Sequence, residues 1–210
     1  MEPLAVERTL WGMGTELVNE PALWELARGG DSGAFGMLYD RHRDRVFGQA
    51  LRIMKSAHDA EDVTAVVFLE LWRRRKSVNL VNDTLIGWLL VTTNNMCKNL
   101  VRSMRRYKAV IDRIPPSELE PSMEFDRVDE ELDSIARGRH VTSAFAQLST
   151  NDQNIITLCV LEEFSLAEAA EALRIPVGTV KSRLSRAKQR LSELTSDSFD
   201  RTTITTGGAK

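Results

Sequence analysis

Residues 165–191 read SLAEAAEALRIPVGTVKSRLSRAKQRL, and this stretch decides the fold of the C-terminal half. Ser165 followed by Glu168 is a capping box, which predicts the start of a short helix. Pro176 blocks continuation of that helix but is well tolerated in the first turn of the next one. The pattern therefore predicts a helix-turn-helix, in which a short scaffold helix leads through a tight turn into a longer basic helix.

The longer helix has an apolar face and a basic face. The predicted inward-facing residues are Val180, Leu184, Ala187 and Leu191. The outer surface carries hydroxyl groups and cations, which bind base edges and phosphates when a helix enters the major groove. A basic solvated surface helix is the competing interpretation, and the turn chemistry disfavours it. The candidate contacts with duplex DNA are Thr179, Lys181, Ser182, Arg183, Arg186 and Lys188.

The rest of the chain is also helical in pattern. The 210 residues include 42% hydrophobic side chains, enough for one moderate core or two small ones. The formal net charge is only −2, but charge is segregated: residues 102–113 are basic, 118–133 acidic and 174–190 basic. The acidic stretch lies in a segment with three prolines, which is typical of a linker. No alternating strand pattern occurs, so we expect an all-α protein.

These patterns predict two small helical domains joined by an acidic, proline-containing linker. Met13 is a candidate alternative translation start. The predicted segments are a tail of uncertain structure (1–20), a first helical domain (21–108), the linker (109–134), a helix-turn-helix domain (135–192) and a disordered tail (193–210).

Within the first domain, the helix predicted over residues 84–107 carries a ring, amides and cations on one face. Bases stack on aromatic rings and phosphates meet cations, so such a face suits single-stranded or opened DNA. A partly buried Trp88 beside a solvated polar face is the alternative, and spacing alone favours it. His42 lies on the apolar stripe of an earlier helix, where we expect a hydrogen-bonded structural histidine.

Several function classes have no support in the sequence. Cys97 and Cys159 lie in apolar helical patterns, which predicts buried free thiols in a reducing compartment. The three histidines are scattered, and no catalytic or metal-ligand spacing occurs. No run of about eighteen apolar residues and no signal-peptide pattern is present. We therefore expect a soluble, cytoplasmic protein with no membrane insertion, cofactor, metal or catalytic residues.

Residues 175–188 resemble the fourth conserved region of extracytoplasmic-function (ECF) sigma factors, the promoter-recognition subunits of bacterial RNA polymerase. Similar helices occur in response regulators, so the N-terminal half is needed to distinguish the two families. There, residues 59–63 (DAEDV) and 68–72 (FLELW) are similar to the family's second region, its main contact with the polymerase clamp. Residues 88–90 (WLL), together with Asn95 and Arg102, are similar to the segment that reads the minus-ten element.

The resemblance implies a sigma factor that binds core RNA polymerase at the clamp of the beta-prime subunit and directs promoter-specific initiation, without enzymatic activity of its own. It implies core-binding residues Asp59, Glu61, Asp62, Phe68, Leu71 and Trp72. It implies minus-ten contacts by Trp88, Asn95, Lys98, Asn99, Arg102, Arg105 and Arg106. The basic helix would meet the minus-thirty-five duplex of the promoter DNA, and the acidic linker would thread toward the RNA exit channel. An anti-sigma factor is the regulator that this family leads us to expect.

Two other functions compete with this one. A stand-alone helix-turn-helix regulator would bind duplex DNA by itself, but it does not account for the helices over 59–72 and 88–106. An interaction protein derived from a sigma factor, no longer active in transcription, is kept open by Val66, which stands where many relatives have Glu. A hydrolase or nuclease lacks any suitable constellation of side chains.

Overall fold

The computed structural model describes residues 19–111 and 133–205. Within these residues the chain is helical, with one isolated β-bridge between Val81 and Thr84, and the prediction of an all-α fold is confirmed. A wide π-helical turn over Thr157–Leu161 continues the sixth helix. In chain order the helices are α1 (Glu20–Gly29), α2 (Ser32–Met54), α3 (Ala57–Arg74), α4 (Ile86–Ile111), α5 (Asp133–Gln147), α6 (Thr150–Ile156), α7 (Leu166–Leu173) and α8 (Val177–Thr205).

The ends of the first three helices follow from short-range chemistry. The side chains of Asn19, Asp31 and Ser56 each accept a hydrogen bond from a backbone N–H in the first turn of the following helix. These contacts satisfy donors that a helix start leaves without partners. Gly30 ends α1 with φ of 104°, a left-handed conformation that glycine adopts without steric cost.

Helix α2 is the centre of the N-terminal half and packs against α1, α3 and α4. Large apolar side chains from all four helices fill the core, among them Trp24, Leu38, Leu71 and Leu89, which are almost completely buried. The indole of Trp24 also donates a hydrogen bond of 3.3 Å to the Val78 carbonyl, so this buried polar group is satisfied.

The carboxylate of Glu20 joins three elements of this half. It contacts Nε2 of His42 at 2.8 Å and accepts a hydrogen bond of 2.6 Å from the backbone N–H of Leu85. The Thr84 hydroxyl donates to the same carboxylate at 3.1 Å. Because Leu85 and Thr84 directly precede α4, the negative charge lies at the positive end of that helix dipole. His42 is a hydrogen-bonded structural residue, as the sequence predicted.

Burial raises the pKa of Glu20, but the hydrogen bond and charge of His42, together with the donors at the start of α4, outweigh burial and leave the pKa below its ordinary value. The group therefore favours the charged form in the folded protein. Its contribution to stability is present above the ordinary pKa of 4.5 and is lost as the pH falls through the lower pKa of the folded state.

The C-terminal half is built on α8, which packs against α5, α6 and α7. Leu191 and Leu194 of α8 pack against a buried cluster formed by Phe145 of α5 and Ala187 of α8, among others. The helix continues to Thr205, so the prediction of a disordered tail is wrong for residues 193–205: the apolar side chains at its start anchor the helix on α5.

The other predicted segments either differ from the structure only at their boundaries or lie outside the described residues. Helix α1 begins at Glu20, and α4 continues to Ile111, beyond the end at residue 108 that we predicted for the first domain. Residues 1–18, 112–132 and 206–210, including most of the predicted N-terminal tail and linker, lie outside the described residues.

The two halves pack against each other through an interface that the sequence did not indicate. Helix α4 contacts α6, the π-helical turn and α7, and α2 contacts α5. Ile86 and Leu90 of α4 belong to one buried apolar cluster with Ile155, Leu158 and Phe164 of the C-terminal half. The cluster holds the two halves together.

We expect the substitution Glu20→Gln to lower the free energy of unfolding by about 1–3 kcal/mol at neutral pH, because it removes a buried, charge-assisted acceptor. The difference from the wild type is expected to shrink as the pH falls below 4.5, where the wild-type carboxylate loses its advantage. Urea unfolding followed at several pH values measures this.

The matched control for this experiment is Glu25→Gln on the same helix, since the side chain of Glu25 is 70% exposed. Its effect on unfolding is expected to be within about 0.5 kcal/mol. An equal loss in both variants would show that the buried contacts of Glu20 are not the cause.

Candidate nucleic-acid interface

The helix-turn-helix forms as its sequence predicts. The Ser165 hydroxyl accepts a hydrogen bond from the Glu168 N–H at 3.2 Å, and the Glu168 carboxylate accepts one from the Ser165 N–H at 2.7 Å. The hydrogen bond from the Ser165 N–H to the Glu168 carboxylate, together with the Ser165 side chain, holds the pKa of Glu168 below its ordinary value. Arg174 ends α7 in a left-handed conformation with φ of 53°, and the Pro176 carbonyl accepts hydrogen bonds from the N–H groups of Thr179 and Val180 in the first turn of α8. The turn therefore directs α8 across α7 at a fixed position.

Helix α8 buries one face and presents the other. Val180 and Ala187 are completely buried, which confirms the inward-facing stripe. Of the predicted duplex-contacting residues, Lys181, Ser182, Arg186 and Lys188 are exposed, and Thr179 and Arg183 are half-buried. Ser182 donates to the Thr179 carbonyl at 3.1 Å, and Arg186 donates to the Ser182 carbonyl at 3.3 Å. Lys181, Arg186 and Lys188 thus form an exposed cationic surface, in which Arg186 is held close to the helix backbone.

Helix α4 presents a second polar and cationic surface. Six of the predicted minus-ten residues are exposed, namely Asn95, Lys98, Asn99, Arg102, Arg105 and Arg106. Trp88 is half-buried: it packs against the core of the N-terminal half, and it also lines an open groove together with Asn95. The ring is therefore both a packing residue and part of the surface.

The predicted core-binding residues separate into two groups. Glu61 and Asp62 are exposed and Asp59 is half-buried, so these acids are accessible at the start of α3. Phe68 and Leu71 are 3% and 0% exposed and lie in the core of their own domain, so the expectation that they contact a partner is corrected.

Trp72, the last of the predicted core-binding residues, is held within its own domain by two contacts. Its ring lies 4.9 Å from the ring of Phe35, measured between centroids, in an edge-to-face arrangement. The guanidinium of Arg75 lies 4.3 Å from the Trp72 centroid, a cation–π contact.

Two apolar residues on α3 are exposed, and neither was among the core-binding residues predicted from the sequence. Val66 and Leu69 are 46% and 56% exposed. They follow Asp62 at helical steps of four and three, so the three side chains share a face. The signal was available in the sequence: these apolar residues lie opposite the buried stripe that includes Val63 and Val67.

The two polar surfaces meet at one groove of about 570 Å³. Trp88 and Asn95 of α4 line it on one side, and Arg174 and Arg183 of the helix-turn-helix line it on the other. Residues predicted to read two different parts of a DNA molecule are therefore neighbours in this structure.

The described residues offer no group of three or more His, Cys, Asp and Glu side chains that could hold a metal ion. Cys97 and Cys159 are free, with Cys97 buried and Cys159 half-buried. Burial raises the pKa of the Cys97 thiol to about 12, and it raises that of Cys159 against the opposing charge of Lys188. Neither thiol is activated as a nucleophile. In the same part of the chain, no helix has the length and apolar character needed to span a bilayer.

A helix-turn-helix with a basic outer face, preceded by a helical domain with its own cationic surface, defines a two-domain DNA-binding protein. Comparison with known families assigns each of the two domains to a more specific class. Residues 38–107 match sigma-70 region 2, and residues 139–191 match sigma-70 region 4.

Relatives with curated functions agree with these two matches. The chain is 27% identical over 154 residues to the ECF RNA polymerase sigma factor SigK of Mycobacterium sp. (strain KMS), covering 73% of this chain and 79% of the relative. It is 30% identical over 161 residues to the ECF RNA polymerase sigma factor SigE of Mycolicibacterium smegmatis, covering 74% of this chain and 59% of the relative. The chain belongs to the sigma-70 family, in its ECF group, and is a sigma factor that directs transcription from promoters.

Two solved structures share the fold. CnrH in complex with the cytosolic domain of CnrY is 23% identical, with a TM-score of 0.56 over 86% of this chain and 99% of that one. The sigma factor RpoE of Bartonella quintana, in complex with the anti-sigma factor NepR, is 24% identical, with a TM-score of 0.53 over 76% of this chain and 95% of that one.

Proposed function

We propose that this sigma factor reads the two promoter elements with the two polar surfaces described above. The observation that carries the proposal is the exposure of cations on both α4 and α8, on the two domains that match regions 2 and 4. The α4 surface suits opened minus-ten DNA, because exposed amides and cations there lie beside the half-buried ring of Trp88. The α8 surface suits the minus-thirty-five duplex, because a helix carrying hydroxyls and cations fits the major groove.

Core RNA polymerase binds at the exposed face of α3 in this proposal. The face combines acids, Glu61 and Asp62, with two exposed apolar side chains, Val66 and Leu69. An apolar patch rimmed by charge is typical of a protein interface. The clamp of the beta-prime subunit is its expected partner, as in the family that the chain resembles.

The chain itself contributes promoter choice and helps to hold the DNA strands apart, while the polymerase carries out catalysis. It acts where core polymerase and DNA are found, in the cytoplasm. The solved relatives CnrH and RpoE were captured with CnrY and with the anti-sigma factor NepR, respectively. By analogy, an anti-sigma factor is the expected regulator of this chain.

Run-off transcription with purified core polymerase tests the whole proposal. Templates are chosen by mapping the genomic sites that the protein occupies. We expect a promoter-specific transcript that requires this chain and disappears when the minus-ten element is scrambled. A chain that binds these DNA fragments without polymerase, yet gives no transcript with it, would instead support a stand-alone helix-turn-helix regulator.

The substitution Leu69→Glu tests the polymerase-binding face. We expect it to weaken binding to core polymerase by at least about tenfold, which is about 1.4 kcal/mol, because it places a charge in an apolar contact. Because Leu69 is 56% exposed, the fold is expected to stay intact.

The control is Leu26→Glu on α1, whose side chain is 53% exposed in the free chain and lies outside the proposed face. Biolayer interferometry with immobilised core polymerase measures both variants. Equal affinities for wild type and Leu69→Glu would place the polymerase contact elsewhere.

The substitutions Arg183→Ala and Arg186→Ala test the reading of the upstream element. Each is expected to cost about 1–3 kcal/mol of promoter discrimination if the side chain reads a base. If the side chain meets only phosphate, binding weakens evenly across sequences and the salt dependence becomes shallower.

The control is Arg43→Ala, an exposed arginine on α2 that is outside both surfaces. Transcription from promoter variants at several salt concentrations distinguishes a side chain that reads a base from one that meets only phosphate. Unchanged promoter use by the double variant of Arg183 and Arg186 would mean that α8 is oriented differently on DNA.

A further inference from the structure

The start of α4 is capped by a side chain from α1. Leu85 directly precedes α4, and its apolar side chain cannot accept hydrogen bonds from the backbone N–H groups of the first turn. The Glu20 carboxylate, 65 residues earlier in the chain, accepts the Leu85 N–H at 2.6 Å. In a capping box, a carboxylate of the same helix makes this contact. Because the acceptor here belongs to another helix, it fixes the start of α4 relative to α1.

The hydroxyl of Thr84 completes this cap. It accepts a hydrogen bond of 3.2 Å from the N–H of Ile86, the first residue of α4, and it donates to Glu20 at 3.1 Å. Two backbone donors at the helix start therefore converge on one carboxylate, the first directly and the second through a hydroxyl. Leu85 is completely buried, so loss of the carboxylate would leave its N–H without an acceptor away from water.

The same contacts hold a tight turn before α4. Asn82 and Asp83 both have φ of 55°, a left-handed conformation that is uncommon for residues other than glycine. The backbone groups of Val81 and Thr84 close the turn with two hydrogen bonds, of 3.2 and 3.3 Å. A conformation of this kind persists only where the surrounding contacts hold it. Since Thr84 also donates to Glu20, the turn and the start of α4 are held as one unit.

The Glu20 carboxylate is itself held by α2. Nε2 of His42 lies 2.8 Å from its Oε1, and the guanidinium of Arg41 lies 3.9 Å from its Oε2. Glu20 and His42 are both buried, and a hydrogen bond between polar groups is stronger where water is excluded. Glu20 therefore connects the start of α4 to the central helix of the N-terminal half.

Trp88 lies one helical turn beyond this anchor. It follows Leu85 by three residues, which is about 4.5 Å along the helix axis. Its ring packs against the core of the N-terminal half and lines the groove beside Asn95. A first turn that shifts or frays would therefore move the ring.

We infer that Glu20 is a positioning residue for the minus-ten surface: linked through Thr84, it sets the start of α4 and thereby the place at which the Trp88 ring meets the opened strand. Glu20 does not contact the DNA, because its side chain is only 10% exposed. The inference rests on the proposed function for the role of Trp88 on DNA. The coupling of Glu20 to Trp88 is a property of the free chain and is measured without DNA.

Fluorine NMR of the full chain, labelled with 5-fluorotryptophan, tests that coupling. The chain has four tryptophans, and Trp88→Phe assigns the resonance of Trp88 by its loss. We expect this resonance to shift or broaden in Glu20→Gln and in Thr84→Val, which removes the hydroxyl at nearly constant volume. It is expected to keep its wild-type position in the exposed variant Glu25→Gln and in Val67→Ala, which destabilises the buried core at α3 without altering the cap.

Strand opening by the polymerase holoenzyme tests the consequence for DNA. 2-Aminopurine in the minus-ten element reports opening at promoters that the protein occupies. We expect Glu20→Gln and Thr84→Val each to lower the preference for the native over a scrambled minus-ten element by about three- to tenfold. Affinity for core polymerase and the preference for the minus-thirty-five element are expected to stay within about twofold of the wild type. In a Trp88→Ala background, Glu20→Gln is expected to add less than about twofold, because residues that act through one contact are not additive.

An unchanged Trp88 resonance in both cap variants would overturn the inference, and so would an equal effect of Glu20→Gln with and without the Trp88 ring. Far-UV circular dichroism limits the comparison to folded variants, and Thr84→Val carries the test alone if Glu20→Gln does not fold. Loss of minus-ten preference in Trp88→Ala but not in the cap variants contradicts only the positioning role. Wild-type preference in Trp88→Ala contradicts the proposed function of the α4 surface, whatever the resonance does.

Discussion

The burial of Asn94 is the constraint on which the arrangement of the molecule depends. Its amide is completely shielded from water in the middle of α4, so its donors and acceptor need protein partners. Those partners come from both halves of the chain, Gln49 on one side and Asn154 on the other. Satisfying the amide therefore fixes the position of α6 on α4. That position in turn brings the α8 surface to the groove beside Trp88.

The π-helical turn explains how the C-terminal half reaches this network. A helix that widens to i→i+5 hydrogen bonds shifts the side chains of that turn, and such turns are frequent at functional sites. Here the turn begins at Thr157, whose hydroxyl accepts the hydrogen bond from Gln49, and it is followed by Glu162, which pairs with Arg45. One local irregularity of the backbone thus places both a buried and a peripheral contact of the interface.

The parts of the fold that sequence predicts are those determined by neighbouring residues. The Ser165 capping box and the inward stripe that includes Val180 form as expected, because each depends on a few nearby positions. The roles and the burial of the candidate site residues were harder to predict from the sequence. Phe68 was assigned to a partner from motif resemblance, yet helical periodicity places it on the buried face of α3. Asn94 is polar and beside the exposed Asn95, and only packing between distant segments buries it.

The composition of the interface determines how firmly the two halves are joined. Apolar burial is worth about 25 cal/mol per Å², and an interface made only of such contacts would join the two halves into one core. A buried hydrogen bond contributes only about 0.5–1.5 kcal/mol, because water replaces the partner when the halves separate. The amides of Gln49 and Asn94 therefore specify the register of the contact while adding little to its strength. The attraction comes from the apolar cluster around Phe164, which is smaller than the core of the N-terminal half.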